Sequence, residues 1–176
     1  MAFLFANTST APVQQPILAP QAEYMGRPTP QQAIEIIKKY EGLRTKAYQD
    51  SNGIWTIGYG NTHEVHPGDE ISEEQAEEEL REYLQNIGPL IIRAAKAPLN
   101  NNQYSALLSF TYNVGTGNLD KSTLLKLINA KENDKVVQEF VKWDKDARGQ
   151  ELAGLRARRL AEASLYFTPI GDIKQA

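Results

Sequence analysis

The 176-residue chain contains no cysteine. That excludes a disulfide framework, a thiolate nucleophile and any zinc site built on thiolates. The fold must rest on packing alone, which suits a reducing cytosol or indifference to redox. Histidine is scarce, at two residues, and this narrows the routes to imidazole-based catalysis. Neither sign of charge dominates: 19 Lys and Arg against 22 Asp and Glu give a net −3. Nothing global therefore points to nucleic acid or to an anionic membrane surface. Long apolar runs are missing too. The stretch "AFLFA" near the start is shorter than the roughly 7–15 residues of a signal-peptide core and has no basic flank. It falls further short of the ~20 residues of a membrane span, so no stable membrane insertion is expected.

What is present is an ordinary globular composition, 41% hydrophobic and 23% charged. The organisation read from it has three parts. Residues 1–27 form a Pro/Gln/Ala-rich arm: its first charged side chain is Glu23, and Pro12, Pro16 and Pro20 interrupt any helix. An export segment that touches the membrane is the alternative for this arm. Residues 28–168 form one folded domain, and 169–176 a short tail.

Within the domain, "RPTPQQAIEIIKKYEG" opens a helix. Thr29 is expected as N-cap, Pro30 as the first helical residue and Gln32 as the partner of a capping box. Ile34, Ile37 and Glu41 keep helical spacing, and Gly42 suits the position after the last residue. From Lys46 to Thr62 the pattern turns to strand, with Asn52-Gly53 marking a hairpin. Trp55, Ile57 and Tyr59 define an apolar face, which leaves Thr56 on the opposite, polar one. Ser72 and Gln75 form a capping box for a helix read to about Ile87, long enough to link two lobes. Beyond Pro89 the reading is a short separate piece, "LIIRAAKA", ended by Pro98. A helix capped at Asn100 and closed by Gly115 follows, then three more helical stretches. The fold class is α+β, mainly helical, with a small hairpin lobe and a larger helical lobe.

Two carboxylates frame the hairpin. Glu41 ends a helix, where the dipole and its apolar neighbours favour the protonated form that a general acid needs. Asp50 lies beside a polar turn and should stay ionised. Environments that split two carboxylates in this way are those of a glycosidase. Thr56 could orient a water. The same residues also fit an ordinary helix-end acid and an ordinary turn acid, and their chemistry alone does not choose.

The run "YEGLRTKAYQDSNGIWTIGYGNT" places Glu41, eight residues, Asp50, five residues and Thr56 in order. It resembles the catalytic signature of the phage-type lysozymes, endolysins that cut bacterial peptidoglycan. "ALLSFTYNVGTGNLDKSTLLKLIN" is similar to the family's second segment, and "GLRARRLAEASLY" to its C-terminal one. The resemblance spans roughly residues 28–167 and implies a two-lobed lysozyme-like fold with the substrate cleft between the lobes. It implies hydrolysis, without a cofactor, of the β-1,4 bond between N-acetylmuramic acid and N-acetylglucosamine. Glu41 matches the proton donor, Asp50 the second carboxylate and Thr56 the residue that places water. Thr62, Tyr112 and Thr123 match cleft-lining positions. Where the family often reads "GYGHT", this chain has Asn61, an amide that hydrogen-bonds but carries no charge. The expected role is host-cell lysis by a monomer held in the host cytoplasm until it reaches the wall. A virion-associated lysozyme and a non-catalytic peptidoglycan-binding module are the alternatives. Spacing in sequence leaves the stereochemistry open; the water-placing threonine leans toward inversion.

Other features read more simply. His63, Glu64 and His66 lack the four-residue spacing of a zincin helix and fit a solvated loop, so no metal is expected. Arg156, Arg158 and Arg159 fit a solvated helix face, or else one of them pairs with Glu41 or meets anionic wall groups.

Overall fold

The computed structural model describes residues 29–169 except 51 and 147; the N-terminal arm and most of the tail lie outside them. The first helix, α1, is Gln31–Glu41, and it buries Ala33, Ile34 and Ile37 completely. It starts one residue later than expected. Pro30 takes ψ 136°, outside the helix, and stands at the cap without a side-chain cap bond. Thr29 is thereby pushed one place outward, and Gln32 cannot close a capping box. The end is as read: Gly42 adopts φ +71° and its N–H donates to Lys38 O at 3.1 Å, so the helix stops at Glu41.

The strands β1 (Arg44–Gln49) and β2 (Trp55–Gly58) pair antiparallel, with Gln49 opposite Trp55 and Tyr48 opposite Thr56. Gly53 N–H donates to Asp50 O at 3.0 Å and Gly53 takes φ +79°, a conformation that glycine adopts without strain. The polar face expected for Thr56 is absent: Thr56 is 5% exposed and Ile57 3%. The cause is tertiary. Ala47 N–H and Ile71 N–H bond to Asp69 O and Thr45 O, which lays the following loop along β1. Ala76 of the next helix approaches β2 so closely that its Cβ would lie 3.2 Å from a Cβ on Gly58.

That helix, α2, spans Glu73–Ala94, with the Ser72/Gln75 capping box in place. It is longer than the sequence indicated, about 33 Å at ~1.5 Å per residue, because it runs through Pro89 instead of ending before it. Gly88 explains part of this. A Cβ there would run into the hydroxyl of buried Tyr104, so the bare backbone lets the neighbouring helix pack against the Pro89 turn. α3 (Asn101–Val114) is capped by the Asn100/Gln103 box and closed by Gly115. From Tyr104 to Thr111 every residue is buried, which makes α3 the central helix, packed on α1, α2 and the last helix. Then come a short helix the sequence did not reveal, α4 (Thr116–Lys121), and α5 (Thr123–Ala130), α6 (Asn133–Val141) and α7 (Ala153–Phe167). Phe110 meets Phe140 and Trp143 edge-on, each with ring centroids 5.5 Å apart, at the heart of the helical lobe. No helix among the described residues is long and apolar enough to cross a membrane.

Candidate active site

Residues 158, 159, 162, 163 and 166 form the inward face of α7. Two of them are arginines and one is a glutamate. Arg158 is 2% exposed, and Arg159 and Glu162 are 0% exposed. The solvated face expected for this run holds only for Arg156, which lies at the surface and pairs with Asp144 at 3.0 Å. Buried charge is tolerated where every group is paired. Glu162 accepts from Ser109 Oγ at 2.7 Å, Arg158 Nε at 3.1 Å and Arg159 Nη1 at 2.5 Å. Arg159 also donates to Trp143 O and to Asn113 Oδ1, and its guanidinium lies over the Phe110 ring.

Arg158 carries this network to Glu41. Its Nη2 donates to Ser109 O at 3.1 Å and its Nη1 to Glu41 Oε1 at 2.5 Å. Glu41 is 24% exposed, so the pair sits where the helical core meets solvent. The other carboxyl oxygen, Oε2, points toward Gly60: a Cβ on that glycine would lie 3.9 Å from Oε2 and 3.6 Å from the Tyr112 hydroxyl. Gly60 has φ +103°, so a side chain there would strain the backbone as well as fill this space. Tyr112 is fixed by its hydroxyl, which donates to Tyr59 O at 2.7 Å. Burial first, and the Glu41 charge second, push the Tyr112 phenol well above its ordinary range, so it works as a neutral donor.

Asp50 sits beside the polar turn that the sequence indicated. Its Oδ1 accepts backbone N–H bonds from Ile54 and Asn52, both at 2.8 Å. These bonds, that from Ile54 first, hold its carboxyl below the usual value of 3.8. Thr56 Oγ1 donates to Ile54 O at 3.1 Å and is nearly enclosed.

A cavity of about 700 Å³ opens between the 59–64 loop and α2, within the roughly 300–1,000 Å³ of small-ligand sites. Thr62 and Tyr112 line it; Glu41, Asp50 and Thr56 do not, and the link to Glu41 runs through Gly60. Thr123, the first residue of α5, is exposed and not part of the wall. Asn61 is engaged on the α2 side: its amide donates to Glu79 Oε2 at 2.9 Å, and its Oδ1 accepts from His63 N–H. His63 and Glu64 sit at the cavity, and His66 lies 3.7 Å from Asp69. Among the described residues no group of three or more acidic or histidine side chains could hold a metal.

The phage lysozyme profile matches residues 38–162, from the last turn of α1 to Glu162. This chain belongs to the phage lysozyme family. The endolysin of Acyrthosiphon pisum secondary endosymbiont phage 1 is 42% identical over 139 residues, 77% of this chain and 95% of the relative. The muramidase domain of SpmX from Asticaccaulis excentricus superposes with TM-score 0.73 at 36% identity, covering 78% of this chain and 95% of that one. A mutant P22 lysozyme gives 0.70 at 35%, covering 77% and 95%. As a phage lysozyme the chain is a glycoside hydrolase with a lysozyme-like α+β fold.

The phage lysozyme match ends at Glu162, the residue that anchors the buried network. Sequence reasoning offered an arginine for Glu41 as one option but passed over Ser109, Asn113 and Glu162. A signal existed: Arg158 and Arg159 stand four and three residues before Glu162, on the same helical face as Ala163 and Tyr166.

Proposed function

We propose that the chain is an endolysin that hydrolyses the β-1,4 bond between N-acetylmuramic acid and N-acetylglucosamine of peptidoglycan. Glu41 is the general acid in this reading. Arg158 donates to Oε1, so the catalytic proton belongs on Oε2, the oxygen facing Gly60. Donation from Oε2 to the glycosidic oxygen breaks the bond to the anomeric carbon. The sugar ring then carries oxocarbenium-like positive charge, which an ionised Asp50 stabilises. In the inverting course Asp50 takes a proton from a water as that water attacks the anomeric carbon. Thr56 gives its own proton to Ile54 O and would hold that water by accepting from it.

The observation that carries this reading is the one-sided grip on Glu41: one oxygen held by a buried cation, the other free toward the glycine at the cavity wall. Residues 28–168 act as the catalytic domain, a monomer, with 1–27 as an arm outside it. The enzyme waits in the host cytoplasm, passes the inner membrane at lysis and works on the wall. A turbidity assay on permeabilised cells tests the roles of Glu41, Asp50 and Thr56. Glu41→Gln should abolish clearing, Asp50→Asn should reduce it strongly, and Thr56→Val should slow it. Full clearing by Glu41→Gln would remove the proton-donor role.

A further inference from the structure

One large aromatic in the cavity wall has no part in the chemistry above. Glu79, Glu82, Tyr83 and Asn86 line the cavity from α2 and share one helical stripe. Tyr83 is 47% exposed, though it sits at a concave site. It meets Tyr112 edge-on, with centroids 5.3 Å apart and planes at 83°. Tyr112 is itself anchored on Tyr59 O and stands beside Gly60, the glycine that Glu41 Oε2 faces. Tyr83 is thus held from one side by a fixed ring and left open to the cavity on the other.

A pyranose ring has apolar C–H faces and a rim of hydroxyls. It suits an aromatic plane flanked by hydrogen-bonding side chains. Here the plane is Tyr83, and Asn86, one turn away, supplies an amide with both donor and acceptor. Glu82 adds a carboxylate that accepts from hydroxyls. We infer that Tyr83, with Asn86, forms a subsite on the linking helix that binds one N-acetylhexosamine ring of the glycan strand, away from the bond being cut. The identity of this ligand rests on the muramidase reading. The position does not: ring, cavity and polar flank are features of the structure.

The subsite holds substrate and does no chemistry, so removing the ring should weaken binding and spare turnover. Two measurements test this. The first is calorimetric binding of chitotetraose to Glu41→Gln protein, with Tyr83 intact, as Tyr83→Ala and as Tyr83→Phe. The second is the kcat and KM of the corresponding active proteins on solubilised glycan strands. We expect Tyr83→Ala to weaken binding about tenfold, equivalent to about 1.4 kcal/mol. KM should rise by a similar factor with kcat nearly constant, and Tyr83→Phe should restore both. A thermal midpoint is recorded for each variant; at an exposed helix position it should stay close to that of the parent. An unchanged affinity in Tyr83→Ala, a fall in kcat alone, or no binding of chitotetraose by the parent would each overturn the subsite. If the active protein cuts no glycan while Tyr83→Ala still weakens chitotetraose binding, the muramidase reading fails and the platform stands.

Discussion

Replacing Glu162 by Gln probes the buried network most sharply. Arg158 and Arg159 contribute two positive charges, which Glu162 balances together with Glu41 whenever Glu41 is ionised. Glu162→Gln removes a negative charge from beside two arginines in a place closed to solvent: Glu162 and Arg159 are 0% exposed and Arg158 2%. Gln also turns an amide N–H₂ toward groups that are already donors, where Glu162 accepted three hydrogen bonds. Removing one partner of a buried pair costs about 3–5 kcal/mol. Against a total stability of about 5–15 kcal/mol this is a large fraction. For a domain of this size it lowers the thermal midpoint on the order of 10 °C. Far-UV circular dichroism melts of Glu162→Gln, with Glu35→Gln at an exposed position of α1 as control, measure it. Activity in the folded protein should drop as well, because Arg158 loses its second anchor. If Glu162→Gln and Glu35→Gln melt together, the network does not support the core and the reasoning fails.

Three further outcomes follow from the same structure. Gly88→Ala should destabilise the protein by about 1–3 kcal/mol, since its Cβ would run into the buried Tyr104 hydroxyl; urea unfolding gives the value. Thr111 Oγ1 is buried without a hydrogen-bond partner, so Thr111→Val should raise the unfolding free energy by about 1 kcal/mol; a loss of stability would mean the hydroxyl is satisfied in solution. Asp50 is held below 3.8 by its turn bonds, so its contribution is complete above that value and is lost as pH falls through the lower folded-state one. The midpoint difference between wild type and Asp50→Asn should therefore be present at about pH 5 and shrink on acidification. A difference that grows toward low pH contradicts that sign.

How much of this was legible beforehand depended on whether the cause was local. The end of α1 at Glu41, the box at Ser72 and the cap at Asn100 are set by residues within one turn, and they read correctly. The turn bonds that keep Asp50 ionised come from Asn52 and Ile54, close in sequence, and they too were readable. Passage of α2 through Pro89 depends on Tyr104, which belongs to another helix. Burial of Thr56 depends on α2 and the 69–71 loop closing over the hairpin. The sequence left the arginines of α7 between a solvated face and a partner for Glu41, because the groups that decide it for Arg158, Ser109 O and Glu41, lie 49 and 117 residues away. Pairing of Glu41 with an arginine of α7 was one option in the sequence, and Arg158 is the residue that makes it.

The central claim is that Glu41, gripped on one oxygen and open on the other, protonates a glycosidic bond. Digestion of purified sacculi, followed by assay of newly formed reducing ends, tests it directly. Wild-type protein should release reducing muramic acid ends, and Glu41→Gln, folded with a similar melting midpoint, should release essentially none. Release by Glu41→Gln at the wild-type rate would contradict the account, as would wild-type products that carry new amino groups in place of reducing ends.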